Sequence, residues 1–273
     1  MLGDYDTQRD KFVAVQGGDF TFGPWSWGAV HAPSAAPDGK GGVIAIFNVN
    51  ASKPTPGWDQ IMSLPRRLTL IGRDEFGQEP AGDLESLRRD HRRVEPMTLP
   101  ANHEIVLDGV QGNALEIVAE IEVGKAQRVE LNVLRSPGRE EFTRITFYPE
   151  RGFGDWVRSN GWEKFWDTRD SLISVDTACS STLPDVTSRA PETAPVYIQR
   201  GEPLKLRVFI DRSVVEVFVN GRQCVCVRVY PGRADSLGVS LRAQGAEAEL
   251  RSLDAWQMKS IYAGDEPHGG QIG

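Results

Sequence analysis

Three tryptophans, Trp156, Trp162 and Trp166, stand within a Gly-punctuated stretch at 152–168. Aromatic faces in a loop can stack on the CH groups of a sugar ring. The same cluster can equally pack its own loop onto the domain as a satellite of the core, and both readings stay open here. The chain carries 38 acidic residues, but no spacing among Asp19, Asp59, Glu163 and Asp170 points to a convergent acid/base pair. Thiol and imidazole chemistry find less support. Cys224 and Cys226 lie two apart on one strand, so they share a face and cannot easily bridge each other. With Cys179 they make an odd count without framework spacing, which fits a reducing compartment or buried thiols. His31, His91, His103 and His268 are scattered, with no zinc-ligand pattern, so no metal and no cofactor are expected. The basic cluster Arg88, Arg89, Arg92 and Arg93 could hold an anion, or be solvated or paired with nearby acids.

The elements that position these groups are almost all strands. Val215, Val217 and Val219 alternate with Glu216, Phe218 and Asn220, the period of a strand with two different faces. Asn220-Gly221 accepts the positive φ of a type I′ turn, so a hairpin is expected with 215–219 paired to 222–230. Residues 115–123 and 128–134 alternate in the same manner, and strand candidates at 142–148, 172–176, 204–210 and 238–241 continue the series. With no helix long enough to cross over a parallel sheet, this predicts an antiparallel β-sandwich over 96–262. Short strands broken by Gly and Pro at 1–75 suggest a meander, as in a propeller blade. Between them, Asp83 before Leu84 and Leu87 reads as a short linking helix or an extended connector. The expected order is therefore 1–76, a connector at 77–95, the sandwich at 96–262 and a flexible tail at 263–273.

Bulk properties exclude some partners. A formal charge of −7 argues against a general nucleic-acid binder, and no segment approaches the ~18 apolar residues of a membrane span. Met1-Leu-Gly-Asp-Tyr-Asp lacks the basic start and apolar run of a signal peptide, which leaves localisation open.

The wording Arg207-Val-Phe-Ile-Asp-Arg-Ser-Val-Val-Glu-Val-Phe-Val-Asn-Gly221 resembles the signature of the C-terminal sandwich of glycoside hydrolase family 32, the β-fructosidases. Further stretches resemble that family in the expected order. They are Gly3-Asp-Tyr-Asp6, Phe22-Gly23 through Trp27-Gly-Ala-Val30, Val43–Phe47, Gly57-Trp58 to Ser63-Leu-Pro-Arg66, Gln78-Glu-Pro to Arg88, and Ile173–Ser181. The resemblance implies the last strands of a five-bladed propeller, a linker and a complete sandwich. It also places Trp27, Phe47 and Trp58 beside a bound fructosyl unit.

The family's retaining chemistry uses two carboxyl groups about 5–5.5 Å apart. In the family, two of the functional carboxylates stand in Asp-Pro motifs and the acid/base commonly in Glu-Cys. This chain contains neither dipeptide, so no catalytic residue is assigned. The resemblance implies a C-terminal part of an enzyme that hydrolyses terminal fructofuranosyl linkages in sucrose or fructans, inert without a separate N-terminal half. The alternative is a non-catalytic carbohydrate-binding or dimerisation module. Expected partners are fructose-containing sugars, an N-terminal catalytic half or a second copy, and neither nucleic acid nor membrane.

Overall fold

The computed structural model describes residues 2–16, 30–50, 53, 55–57, 60–72, 76–150, 171–186, 190–199 and 201–262. Trp27, Trp58, the tryptophans at 156, 162 and 166, Asp19, Asp59, Glu163, Asp170 and the tail from 263 lie outside the described residues.

The chain opens with a hairpin of β1 (Leu2–Asp6) and β2 (Lys11–Gln16), whose turn is held where Asp6 Oδ1 accepts the Gln8 and Arg9 amides at 3.0 and 3.1 Å. A second sheet follows: β3 (Val30–Pro37), β4 (Val43–Val49), β5 (Ile61–Met62), β6 (Arg66–Leu70) and β7 (Phe76–Pro80). Its order is β3-β4-β6-β7, with β5 paired to β4, all antiparallel. Here it is called the first sheet. Strand β4 buries Ala45, Phe47 and Val49 and leaves Ile44, Ile46 and Asn48 half-buried, the alternation of a strand with two different faces.

The connector at 77–95 is shared out between two sheets. Its start is β7, and Asp83 Oδ1 then accepts the Ser86 amide at 3.3 Å over a single 3₁₀ turn, Glu85–Leu87. From there the chain runs straight into β8 (Arg88–Val94), an edge strand of the sandwich. Leu84 and Leu87 have helical spacing, but pairing of β8 with β20 wins over helix propagation.

The remaining strands are β9 (Met97–Leu99), β10 (Glu104–Gln111), β11 (Ala114–Glu122), β12 (Arg128–Arg135), β13 (Thr143–Tyr148), β14 (Ser171–Asp176), β15 (Glu192–Val196), β16 (Leu204–Asp211), β17 (Val214–Val219), β18 (Gln223–Arg228), β19 (Gly238–Gln244) and β20 (Ala248–Met258). They build two antiparallel sheets, β10-β19-β12-β13-β14-β15 and β18-β17-β16-β11-β20-β8, with β9 on β20. Alternate residues of both sheets, such as Ile117, Leu131, Ile145, Val208, Val217 and Leu241, close one apolar core. The fold class is thus all-β with an antiparallel sandwich, as the alternation predicts.

The β17–β18 turn differs in detail from expectation. Asn220 and Gly221 sit at φ +48° and +65°, and the Arg222 amide donates to the Val219 carbonyl at 2.9 Å, as a type I′ turn requires. Arg222 is then an extra residue, so Val219 pairs with Gln223 rather than with Arg222. The Asn220 side chain explains the choice of residue. Its Oδ1 accepts the Lys205 amide at 2.9 Å, and its Nδ2 donates to the Pro203 carbonyl at 2.9 Å and to Glu202 at 3.1 Å. The turn is pinned to the start of β16.

Candidate functional site: a buried ion pair between the sheets

Among the three sugar-facing candidates, Phe47 alone is described. Its strand position points it out of the first sheet, yet it is only 1% exposed. The Arg66 guanidinium carbon lies 4.9 Å from the Phe47 ring centroid and 5.8 Å from that of Phe218 in β17. Arg66 is therefore clamped between an aromatic ring of the first sheet and one of the sandwich, a cation–π arrangement in a dry setting.

Two charged groups face each other there. Glu216 is 2% exposed and Arg66 is 1% exposed, and Arg66 Nη2 donates to Glu216 Oε2 at 3.1 Å. Glu216 Oε1 accepts the Leu64 amide at 2.6 Å, so each carboxylate oxygen reaches across to the first sheet. Arg66 Nη1 donates to Gln78 Oε1 at 2.8 Å. Ser63 closes the network, since its Oγ accepts the Phe47 amide at 3.1 Å and donates to the Leu64 carbonyl at 3.0 Å. The Gln78 amide donates to the Gly221 carbonyl at 2.6 Å, tying β7 to the β17–β18 turn. A Cβ on Gly77 would stand 2.9 Å from Thr69 Oγ1 and 3.3 Å from the Gly221 oxygen, which explains a residue without one.

Hydrocarbon surrounds this network. Val49 packs on Val214 and Cys226 with Val30 and Ile61, and Leu64 packs on Phe209, Phe218 and Cys224. Complete burial pushes the Glu216 carboxyl up, against the opposing pull of Arg66 and the Leu64 amide. Burial also pushes the Cys224 thiol up to about 12 and Cys226 well above its usual range, so both are neutral and poor nucleophiles.

The arrangement cannot serve as an acid/base site. Its one carboxylate is sealed from solvent and spends both oxygens on the first sheet. What it can do is fix geometry between the two sheets.

The other buried carboxylates also organise backbone and charge. Glu116 receives Arg88 through Nε and Nη2, each at 2.8 Å, and Arg207 Nε at 2.8 Å, while Arg88 stacks over Trp256 at 4.1 Å. That accounts for one member of the basic cluster, and Arg93 lies 3.7 Å from Asp254. Glu141 accepts the Thr182, Gly232 and Arg233 amides at 2.6, 2.9 and 3.1 Å and the Ser236 hydroxyl at 2.6 Å. Burial works against its charge, but the hydrogen bonds from Ser236, Thr182 and Gly232 outweigh it and hold the carboxyl below its ordinary range. Among the described residues, no three His, Cys, Asp or Glu side chains group as metal ligands, and no helix is long and apolar enough to cross a membrane. A cleft of about 660 Å³ at one end of the sandwich, lined by Lys125, Gln127, Gln199 and Glu202 among others, stands apart from this network.

Sequence reasoning singled out Phe47 and the Ser63–Arg66 motif but gave Glu216 no role. The available signal was a lone carboxylate inside a valine run.

The family model described as "Glycosyl hydrolases family 32 C terminal" matches residues 83–257. A levanase of Bacillus subtilis (strain 168) is 31% identical over 216 residues, covering 77% of this chain and 29% of its own length. An acid β-fructofuranosidase of Vigna radiata var. radiata is 30% identical over 240 residues, covering 76% of this chain and 35% of its own. Among solved structures, fructan 1-exohydrolase IIa from Cichorium intybus superposes with a TM-score of 0.76 at 19% identity over 94% of this chain and 54% of that one. A variant of that enzyme solved in complex with 1-kestose gives 0.78 at 18% identity. The chain thus spans about a third of the length of these curated relatives, and it belongs to glycoside hydrolase family 32, of which it carries the C-terminal domain.

Proposed function

We propose that this chain is the C-terminal part of a β-fructofuranosidase-type hydrolase that cleaves terminal fructofuranosyl linkages in sucrose or fructans. The two carboxyl groups of the reaction are supplied by a polypeptide portion equivalent to the N-terminal half of its relatives. The observation carrying this reading is family membership over residues 83–257 combined with a sequence that lacks both Asp-Pro and Glu-Cys.

In this reading residues 1–76 are the closing part of a propeller, and Trp27, Phe47 and Trp58 form one wall of the fructosyl site. Phe47 is packed under Arg66 and is 1% exposed in this chain. The reaction itself needs an acid to protonate the leaving oxygen and a carboxylate to meet the oxocarbenium-like centre. Positioned acid/base groups are worth about 10²–10⁴-fold, which stacking alone does not replace.

The test is fructose release from sucrose, inulin and levan. The isolated chain is expected to give none above a buffer blank. Mixing it with a polypeptide carrying the N-terminal half of a family member is expected to restore turnover. Steady hydrolysis by this chain alone, surviving repurification and abolished by substitution of one of its own Asp or Glu residues, overturns the reading. Sugar binding that never becomes turnover on mixing assigns the chain instead to the carbohydrate-binding modules.

A further inference from the structure

We infer that Glu216 is a positioning residue, through which the sandwich fixes the Ser63–Arg66 segment and Phe47, so that the first sheet and the sandwich act as one cooperative body. The contact is drawn from two places 150 residues apart in the chain, yet it joins the first sheet's Ser63-Leu-Pro-Arg66 motif to the sandwich's Ser213-Val-Val-Glu-Val-Phe218 motif.

The geometry supports a role in orientation rather than in cohesion alone. A carboxylate accepting from a backbone amide and a guanidinium has two directional bonds, and here both partners stand on the same short segment, Leu64 at 2.6 Å and Arg66 at 3.1 Å. That segment is in turn bonded to β4 beside Phe47, with the Ser63 amide donating to the Phe47 carbonyl at 2.8 Å and Ser63 Oγ accepting the Phe47 amide. Displacing Glu216 therefore frees Leu64, Arg66 and the Phe47 ring together. Apolar contacts at Val49, Leu64 and Phe218 seal the joint but would tolerate sliding; the ion pair selects one register. The choice of a buried charge pair is costly unless geometry is satisfied, and Arg66 Nε and Gln78 Nε2 are buried without a partner.

The sandwich is then the frame that holds the first sheet. This deepens the fructoside reading only through Phe47. The coupling itself is tested without sugar, so its failure and the failure of that reading are distinguishable.

The experiment is hydrogen–deuterium exchange on the full chain, read by peptide, for wild type, Glu216→Ala and Arg66→Met. Each single variant is expected to exchange at least about tenfold faster within residues 43–80, while peptides from β11, β12 and β19 keep wild-type rates. The paired variant Arg66→Met with Glu216→Leu removes the unpaired charge but also both directional bonds, so 43–80 is expected to keep exchanging faster than in wild type. Full recovery of protection there overturns the inference. If a single variant fails to fold, Glu216→Gln serves, because it preserves volume and an acceptor for Leu64. It is expected to show the same selective loss, smaller in size. Unchanged exchange at 43–80, or an equal increase in both sheets, overturns the inference.

Discussion

Strand β17 presents Val215, Val217 and Val219 to the sandwich interior and Glu216 and Phe218 to the first sheet, so one strand borders two dry regions of opposite character. The interior is closed by hydrocarbon from alternate residues of two sheets, where apolar side chains of similar volume are tolerated. The junction is closed by an ion pair, an amide and two aromatic rings, whose bonds are directional. The comparison shows how a single strand can contribute general cohesion on one face and orientation on the other. Burial alone does not distinguish the two, since every residue of β17 is buried.

The sharpest way to break this contrast is to remove one charge at the junction. Glu216→Ala leaves Arg66 buried and unpaired, and a loss of about 3–5 kcal/mol is expected in denaturant unfolding. Pairing Arg66→Met with Glu216→Leu should recover most of that loss, because two apolar groups in a packed site avoid the unpaired charge. A paired variant as unstable as the single one would mean that geometry around Leu64 and Ser63, not charge, dominates.

A milder test addresses the interior. Ile117→Val, at a fully buried site, should cost about 0.5–1.5 kcal/mol in the same assay, and exchange at 43–80 should be untouched. A larger cost, or an effect spreading to the first sheet, would erase the distinction between the two faces.

Titration sharpens it further. Burial raises the Glu216 carboxyl above its ordinary range, so the stability linked to its proton is present below the ordinary carboxylate pKa and lost as pH rises through the raised one. Wild type should therefore gain on Glu216→Gln as pH falls through that window. A gap that does not change with pH removes the burial argument.

The smallest effect is expected at the rim of the first sheet. There Asp38 takes the Lys40 and Gly42 amides at 2.7 and 2.8 Å and Arg67 Nε at 2.6 Å, which lowers its pKa to about 2. Its contribution should be complete above the ordinary value of 3.8 and fade as pH falls to about 2. Asp38→Asn should then trail wild type at neutral pH and match it at the acid end, followed by urea unfolding across pH.

Much of the sandwich was legible because period-2 alternation reports a strand and its two faces directly. The hairpin at Asn220-Gly221 follows from backbone chemistry, but the extra residue Arg222 does not. Its placement depends on Arg222 and Asn220 reaching Glu202, a contact outside the turn. The burial of Glu216 was not legible either. Alternation shows that a second face exists, not what covers it, and Arg66 lies 150 residues away. The stretch at 84–93, read as a short linking helix or an extended connector, is a single turn followed by a strand, for a related reason. Its leucine spacing fits a helix locally, whereas Arg88 pairs with Glu116 and β8 with β20, partners distant in sequence. Phe47 was correctly placed on a strand, while its cover by a guanidinium depends on the same distant partner.

Strand β8 has one further consequence. It ends the seven-stranded sheet, and among the described residues no strand pairs with its outer side. Such an edge is a template for adding foreign strands, and it is blunted here by the turned backbone at Asp90, φ +49°, and by exposed Arg89 and Arg92. A second strand pairing there would have to follow the turned backbone at Asp90 and lie beside both arginines. The basic run thus lies along an unpaired sheet edge, where exposed charge of this kind disfavours edge-to-edge pairing.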